Sequence, residues 1–362
     1  MKNNRFAGLV RPALRDLTPY HVPVHTGVVK LDANENPYDF PAGLLTEIFG
    51  RVDGQTLVRY PDAEARELRE AIADYHGLTA ENVFVGNGSD ELILNLFLTF
   101  AVGGRVLIAE PTFGMYRIHS VIAGAEPVAV NRDPDFTIDS ERLHYSTLNA
   151  AAQVMVLCSP NNPSGNTIPV GTVERILDWF GGIAVVDEAY FEFCGKTCVG
   201  LLERYPNLVV LRTFSKAFGL AGLRVGYMLA HPDVVQAVWR VKQPFNVDAF
   251  AQLAALAVLE HRSLFEPQIA ALMKDGAVLY EQLRALPGVE AYPTEANFIL
   301  FRTPHDARAV YERLLANGVL VRDLGGPGLE RCLRVSIGKP EENHQFIKAL
   351  GATLGSTLGS RL

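Results

Sequence analysis

The sequence predicts an α/β domain with a mostly parallel sheet, followed by a smaller α+β unit. Short apolar runs that end in turn residues alternate with helical stretches up to about Pro244. Several of these runs are rich in Val, Leu and Ile, which is typical of strands buried on both faces of a parallel sheet. The 362 residues also exceed the roughly 250–300 at which one hydrophobic core stops growing. We therefore expect more than one domain.

The predicted elements follow the chain in this order. Strands are predicted at residues 83–86, 105–109, 154–158, 183–186, 208–211 and 224–229, and helices between them at 91–100 and 173–179. After Pro244 come helices at 250–260, 269–286 and 340–350 and strands at 296–301, 319–322 and 332–337. We expect an N-terminal arm at 1–30, a large domain at 31–245 and a small domain at 246–362.

Composition and charge narrow the class of protein. Hydrophobic residues make up 48% and charged residues 20%, as in ordinary globular proteins. The net charge of −7 gives no global attraction for nucleic acid or anionic membranes, so a phosphorylated ligand needs a local cluster of donors. We expect no metal site, no membrane partner and no nucleic-acid partner. The four cysteines form no CxxC pair, and we expect reduced thiols in a cytoplasmic protein.

Lys216 is the first candidate for chemistry. It follows the predicted strand 208–211, in the crevice beyond the strand ends where α/β sheets bind ligands. Alone, a lysine in a glycine-rich loop is usually a solvated surface residue. Ser215 and Arg224 change this interpretation, because a hydroxyl and a guanidinium bind phosphate well. An amine nucleophile must lose its proton, which burial and a nearby arginine favour.

Asp187 is the second candidate. It comes directly after the predicted strand 183–186, where an acid faces a ligand at the carboxyl edge of the sheet. It could pair with a protonated ring nitrogen of a cofactor, or it could cap the next helix. Glu188 is an alternative acid on sequence alone. We favour Asp187 because it is the first residue after the strand.

Two further loops complete the set. Residues 159–166 follow a predicted strand and form a turn by composition, where an Asn amide can bind a ligand oxygen. Residues 86–91 bring backbone N–H groups and a helix N-terminus to an anion. The dinucleotide fingerprint GxGxxG fails there because Glu91 occupies its last glycine position. The four segments supply an amine, an acid, an amide and a phosphate-binding loop.

With these segments in order, the chain resembles the fold-type-I aminotransferases that depend on pyridoxal 5'-phosphate, in their class II subgroup. The resemblance rests on motifs at residues 30–37, 59–62, 86–91, 111–116, 161–165, 187–190, 215–224 and 333–338, in the family's order. It implies a mostly parallel seven-stranded large domain with a smaller α+β domain. It also implies an enzyme that binds pyridoxal phosphate, acts on an amino donor and a 2-oxo acid, and forms a homodimer with shared active sites.

The resemblance assigns roles to residues near the cofactor. Lys216 forms the covalent link and moves the proton, Asp187 pairs with the pyridine nitrogen, and Phe113 stacks on the ring where many relatives have Tyr. Oxygen and phosphate contacts are expected from Gly88, Ser89, Asp90, Asn162, Tyr190, Ser215 and Arg224. Tyr190 also counts among the catalytic residues. Tyr60 is expected to reach the cofactor of the partner subunit.

Substrate contacts are expected from Tyr20, Asn34, Asn162, Arg322 and Arg334. Arg334 matches the family's carboxylate-binding arginine. Arg322 lies before a glycine-rich turn and could add a second guanidinium for a phosphorylated donor, or it could be a solvated residue of a surface strand. Tyr20, in the arm, could close over this position.

Three rival functions remain at this stage. Aromatic amino-acid aminotransferases and threonine-phosphate decarboxylases share the same scaffold, so an amino-donor screen must separate them. A non-catalytic binding module with this fold would need a fused DNA-binding segment or would lack the lysine, and Lys216 is present. Fold alone never fixes function.

Overall fold

The computed structural model describes residues 6–18, 24–326 and 328–355. Its largest element is a seven-stranded sheet with the strand order β2-β8-β7-β6-β5-β3-β4. The strands of this sheet are β2 (Val83–Gly86), β3 (Arg105–Glu110), β4 (Glu126–Asn131), β5 (Val154–Cys158), β6 (Ile183–Asp187), β7 (Leu208–Thr213) and β8 (Gly226–Ala230).

Smaller sheets contain the remaining strands of the described chain. These are β1 (Val29–Lys30), β9 (Glu290–Ala291), β10 (Phe298–Arg302), β11 (Val319–Leu320), β12 (Arg322–Asp323) and β13 (Cys332–Ser336). Strands β12-β13-β10-β9 form a four-stranded antiparallel sheet, and β1 pairs in parallel with β11.

Helices surround these sheets. They are α1 (Pro12–Arg15), α2 (Ala42–Gly50), α3 (Gly54–Val58), α4 (Arg66–His76), α5 (Gly88–Phe100), α6 (Met115–Ala123), α7 (Ser140–Ala150), α8 (Val170–Trp179), α9 (Phe191–Cys194), α10 (Pro232–Trp239), α11 (Ala249–Glu260), α12 (Glu266–Arg284), α13 (Ala307–Ala316) and α14 (Pro340–Gly355). Among the described residues, none of these helices combines the length and apolar character needed to cross a bilayer.

The large sheet confirms the predicted fold class. Strands β4, β3, β5, β6 and β7 run parallel to one another, and β8 is antiparallel to both β7 and β2. Side chains alternate between two apolar layers: Met155 and Leu157 face one core, whereas Val154, Val156 and Cys158 face the other. This period of two is that of a strand covered on both faces.

The predicted boundaries differ from the structure in three informative places. Strand β4 was not predicted, because it lies at the sheet edge, is half exposed and contains Pro127, so it lacks a continuous apolar run. Helix α5 begins at Gly88 rather than at residue 91. The single strand predicted at 319–322 is two strands in different sheets, since β11 pairs with β1 and β12 pairs with β13.

The division into domains stays a prediction, and the structure adds one fact to it. A separate core cluster lies around the four-stranded sheet and includes Phe298, Val335 and Phe346. Leu31, from the start of the chain, is buried in this C-terminal cluster. The segment after the arm therefore packs against the C-terminal part of the chain.

A buried ion pair joins two strand ends on one face of the large sheet. Arg212 at the end of β7 donates to Glu188 Oε2 through Nε (2.9 Å) and lies 2.7 Å from it through Nη2. Glu188 Oε1 accepts the backbone N–H of Cys198 at 2.6 Å. The guanidinium also lies over the ring of Phe191, 3.5 Å from its centroid. Both charged side chains are almost inaccessible to solvent.

Glu188→Ala is expected to lower the free energy of unfolding by about 3–5 kcal/mol, because it removes the carboxylate bonded to the buried Arg212 guanidinium and leaves only Glu192, 3.9 Å away. Chemical denaturation at fixed protein and cofactor concentration measures this change. The control is Glu203→Ala, which removes an exposed acid and should change stability by no more than about 0.5 kcal/mol. A loss below about 1 kcal/mol for Glu188→Ala would contradict the expected role of the pair.

Candidate active site

A cavity of about 680 Å³ opens at the carboxyl ends of the parallel strands. Its lining includes the last residues of all five parallel strands of the large sheet: Glu110, Asn131, Cys158, Asp187 and Thr213. Parallel strands bring their carboxyl ends to one edge, which is where α/β sheets bind ligands. The volume is in the range of pockets for small organic ligands, roughly 300–1,000 Å³.

Most of the residues singled out from the sequence line this cavity. They are Asn34, Ser89, Asp90, Phe113, Asn162, Asp187, Tyr190, Ser215, Lys216, Arg224, Arg322 and Arg334. Gly88 lies beside the cavity, under Arg224. Tyr60 is not part of the lining, and Tyr20 lies outside the described residues.

Lys216 lies in the loop that follows β7. Its Nζ donates a hydrogen bond to the carbonyl oxygen of Ala33 at 2.9 Å. Burial, followed by the positive charge of Arg334, lowers the pKa of Lys216 from 10.5 to about 8. The neutral amine that nucleophilic attack requires is therefore reached at a lower pH than for an exposed lysine.

Asp187 ends β6 and is buried in the cavity wall. Its Oδ2 accepts a hydrogen bond from the Tyr116 hydroxyl at 2.7 Å, and its Oδ1 accepts the N–H of Ala189 at 3.1 Å. Burial raises the pKa of Asp187 to about 6, while the bond from Tyr116 opposes the rise. The neighbouring acid, Glu188, instead forms the ion pair with Arg212. Of the two acids considered from the sequence, Asp187 is therefore the one that lines the cavity.

Tyr116 is a residue that the sequence analysis did not assign a role. It lies on α6 and is fully buried, and its ring packs edge-to-face against Phe113, with centroids 5.5 Å apart. The motif at 111–116 was the only local signal that Tyr116 lies near Phe113, but Phe113 precedes α6, and no local pattern shows the contact between Tyr116 and Asp187. The motif at 111–116 therefore supplies both a ring contact and a hydrogen bond to the cavity acid.

An anion-binding cup forms where the first turn of α5 meets Arg224. Gly88 has a positive φ of 75°, and a Cβ there would lie 2.6 Å from Arg224 Nη2. A Cβ on Gly226 would lie 2.8 Å from the backbone N of Ser89. The two glycines thus let the guanidinium and a strand approach the helix N-terminus, where N–H groups and the helix dipole favour anions.

Side chains complete the cup. Arg224 Nη1 lies 3.5 Å from Ser215 Oγ, and Arg224 Nη2 lies 3.4 Å from Asp90 Oδ2. His119 Nε2 is 3.7 Å from the other carboxylate oxygen of Asp90. Burial opposes ionisation of Asp90, but His119 and Arg224 hold its pKa below the usual value. The cup therefore offers the hydroxyls of Ser89 and Ser215, the guanidinium of Arg224 and the backbone N–H groups of the first turn of α5. The ionised carboxylate of Asp90 lies beside them.

A hydrogen-bonded cluster closes the other side of the cavity. The Tyr190 hydroxyl accepts a bond from Asn34 Nδ2 at 2.9 Å. Arg334 donates to Asn162 Oδ1 at 2.5 Å and to the carbonyl oxygen of Asp32 at 2.6 Å. The sequence analysis predicted that Asn34 contacts the substrate. In the structure, its amide nitrogen donates to the Tyr190 hydroxyl and orients that side chain.

Arg322 and Arg334 lie directly opposite each other on the antiparallel strands β12 and β13. Both line the cavity that contains Lys216. The alternative that Arg322 is only a solvated surface residue therefore does not describe its position, since it is partly buried and faces the cavity. Residues that are opposite in a strand pair project from the same face of the sheet, so both side chains leave the sheet on the side of the cavity.

Tyr60 lies away from this cavity on the surface. Its side chain is 81% exposed, and its ring stacks on Phe245 with centroids 4.4 Å apart and an interplanar angle of 16°. Leu57 and Val58 beside it are also strongly exposed. Leu57, Val58 and Tyr60 thus expose apolar surface close together in the sequence, which we call the apolar patch.

Comparison with known proteins agrees with the site. The family model for aminotransferases of class I and II matches residues 26–350. Histidinol-phosphate aminotransferase 1 of Carboxydothermus hydrogenoformans is 41% identical over 345 residues, which cover 95% of this chain and 98% of that protein.

Solved structures of related enzymes have the same fold over most of this chain. The histidinol-phosphate aminotransferase of Sinorhizobium meliloti, in complex with pyridoxal-5'-phosphate, has a TM-score of 0.88 and 26% identity, covering 95% of this chain and 97% of that one. The L-threonine-O-3-phosphate decarboxylase of Porphyromonas gingivalis has a TM-score of 0.80 and 26% identity, covering 90% and 99%. With a family model and a relative that each span nearly its whole length, this chain belongs to the aminotransferases of class I and II.

Proposed function

We propose that this enzyme transfers the amino group of L-histidinol phosphate to 2-oxoglutarate, giving imidazole acetol phosphate and L-glutamate, in histidine biosynthesis. The curated relatives, about 40% identical over almost the whole chain, are histidinol-phosphate aminotransferases. The cofactor is pyridoxal 5'-phosphate, as in the solved relative. The observation that carries the substrate assignment is the pair of arginines, Arg322 and Arg334, in the wall of the cavity that Lys216 also lines.

Arg322 and Arg334 form a cross-strand pair of like charges in the cavity wall. Like charges directly opposite each other destabilise a sheet, and such costs are typical of functional sites. An α-carboxylate carries one negative charge, which one guanidinium matches. A phosphate ester carries up to two, and two bidentate guanidinium groups match it better. The pair therefore favours a phosphorylated amino donor while still accepting glutamate.

The residues of the cavity fit pyridoxal phosphate. The cup of Gly88, Ser89, Ser215 and Arg224 would hold its phosphate, because the two close glycine contacts leave the helix N-terminus and the guanidinium side by side. Other cavity residues would hold the ring and its substituents: Phe113, Asn162, Asp187, Tyr190 and Lys216. Asp90, ionised beside Arg224 and His119, would fix the position of Arg224.

The reaction then proceeds in two half-reactions in which these residues act in turn. When bound, the cofactor supplies an electron sink for the negative charge that develops at the α carbon of the donor. Asp187 keeps a proton at the ring nitrogen. Lys216 Nζ takes the proton from the donor's α carbon and returns one to the α carbon of the acceptor. Arg322 and Arg334 hold the anionic end of each substrate.

We also propose a homodimer in which Tyr60 reaches the cofactor phosphate of the partner subunit. The support is the apolar patch of Leu57, Val58 and Tyr60, since large exposed apolar patches typically mark interfaces. We propose the cytoplasm as its compartment, because all four cysteines are free thiols, as in reducing compartments.

The first prediction concerns substrate choice. Arg322→Ala should lower kcat/KM for histidinol phosphate roughly tenfold to a hundredfold, because a hydrogen bond to a charged group contributes about 1.5–3 kcal/mol. Phenylalanine carries no phosphate and should be affected much less. Steady-state assays with both donors measure the difference. Arg331→Ala, which removes an exposed arginine from the end of the same turn, serves as the control.

Two results would count against this assignment. Equal losses for both donors in Arg322→Ala would remove the claim of phosphate selectivity. A wild-type preference for phenylalanine would move the enzyme to the aromatic aminotransferases, and release of CO2 from threonine phosphate would move it to the decarboxylases that share the fold.

The second prediction concerns Asp187. Asp187→Ala should lower turnover by more than about a hundredfold, the usual size of such an electrostatic effect. Cofactor affinity should fall much less, because the phosphate cup and Lys216 remain. Turnover and cofactor titration in the same preparation separate the two quantities. If turnover fell by less than about tenfold, the proposed role of Asp187 would be wrong.

The third prediction concerns the shared site. Lys216→Ala and Tyr60→Phe subunits are each expected to be nearly inactive as homodimers. A mixed dimer has one site with both lesions and one site with neither, so activity should partly return after subunit exchange. Mixing Lys216→Ala with itself, carried through the same exchange, is the control. Mixed dimers that form but show no recovered activity would exclude a site shared in this way.

A further inference from the structure

Helix α6 supplies a hydrogen bond to Asp187 from Tyr116, a residue to which no cofactor contact has been assigned. Tyr116 is fully buried, and its hydroxyl donates to Asp187 Oδ2 at 2.7 Å. The carboxylate already has the Ala189 N–H on its other oxygen. The Tyr116 ring is held by its edge-to-face contact with Phe113.

We infer that Tyr116 is a positioning residue that keeps Asp187 ionised and its second oxygen aimed at the ring nitrogen. The inference rests on the proposed role of Asp187 and goes beyond it, because it names the residue that makes this role possible. A carboxylate that accepts hydrogen bonds is stabilised in its charged form. With one oxygen bound by Tyr116, rotation of the carboxyl group would break a short buried bond.

The charges around Asp187 explain why such a donor is needed. The titratable groups that influence it from the surrounding elements are the acids Asp90 and Glu188, the thiol Cys158 and the phenols Tyr116 and Tyr190. None of these is a cation, and the two acids together with burial favour the neutral carboxyl. The stabilisation of the charged form comes from Tyr116 and the N–H of Ala189.

Without the phenol, the carboxyl would compete better for the ring proton. The proton between Asp187 and the ring nitrogen belongs to whichever group has the higher pKa. Removing a donor to the carboxylate raises the pKa of Asp187 and draws the proton toward it. The ring nitrogen would then be protonated in a smaller fraction of molecules, and the electron sink would weaken without loss of a cofactor contact.

Tyr116→Phe tests this in the holoenzyme, because it removes the hydroxyl and keeps the ring. With cofactor labelled with ¹⁵N at the ring nitrogen, the NMR shift at constant pH should move toward that of an unprotonated nitrogen. We expect the ratio of ring-protonated to carboxyl-protonated molecules to fall about tenfold, which corresponds to one pKa unit. Turnover should fall with KM nearly unchanged, and the pH profile of kcat should shift.

Two controls separate positioning from packing. Ser120→Ala removes a hydroxyl from the same helix that does not contact Asp187, so the ¹⁵N shift should stay at the wild-type value. The second measurement follows the ¹³Cζ signal of Tyr116 in the wild-type holoenzyme. This signal is assigned by its loss in Tyr116→Phe or by its through-space correlation with Phe113. It should change whenever the Asp187 carboxyl changes protonation. This second measurement applies even if the variant accumulates poorly.

An unchanged ¹⁵N shift in folded Tyr116→Phe would overturn the inference, as would a Tyr116 signal that ignores the titration of Asp187. Neither result depends on the substrate, so the inference survives if histidinol phosphate is a poor donor. If Asp187→Ala kept near-wild-type turnover, the proposed function of the acid would fail first. If Asp187 proved essential and Tyr116 had no effect on the ring nitrogen, only the inference would fail.

Discussion

Three successive backbone carbonyls after the N-terminal arm hold the site together. The carbonyl oxygen of Asp32 accepts from Arg334, that of Ala33 from Lys216, and that of Asn34 from Asn297. Arg334 belongs to the four-stranded sheet, and Asn297 directly precedes strand β10 of that sheet. Lys216 lies in the loop that follows β7 of the large sheet. A buried carbonyl must find a donor, and residues 32–34 find theirs on both sides of the cavity, so this segment ties the two sides together.

Asn34 shows how tightly this segment is specified. It has a positive φ of 53°, a conformation that Asn adopts more readily than most residues. In that conformation its N–H donates to Ser336 Oγ at 2.8 Å, while its amide nitrogen donates to the Tyr190 hydroxyl. Backbone and side chain thus reach opposite sheets from one residue. This explains why a motif near the start of the chain belongs to a site built mainly by later residues.

The sequence predicted those parts of the site that follow strongly apolar strands. Lys216 and Asp187 each come after such a run, and the carboxyl edge of a parallel sheet brings the ends of those runs together. The choice between Asp187 and Glu188 could not be derived with equal force, because a strand apolar on both faces carries no alternation to set its phase. The resemblance to a family supplied the rest of the residue roles. Tyr116 was missed because its function depends on a contact between α6 and β6 that no local pattern encodes.

The charge distribution decides where anions bind. The chain carries a net charge of −7, so it has no general attraction for phosphorylated compounds, and selection depends on local arginines. Arg224 lies in the cup beside the large sheet, and Arg322 and Arg334 line the cavity from the small sheet. Arg334 and Arg224 both lower the pKa of Lys216, so the amine lies within the field of arginines on both sides of the cavity. An anion bound beside either arginine would cancel part of that field and raise the pKa of Lys216.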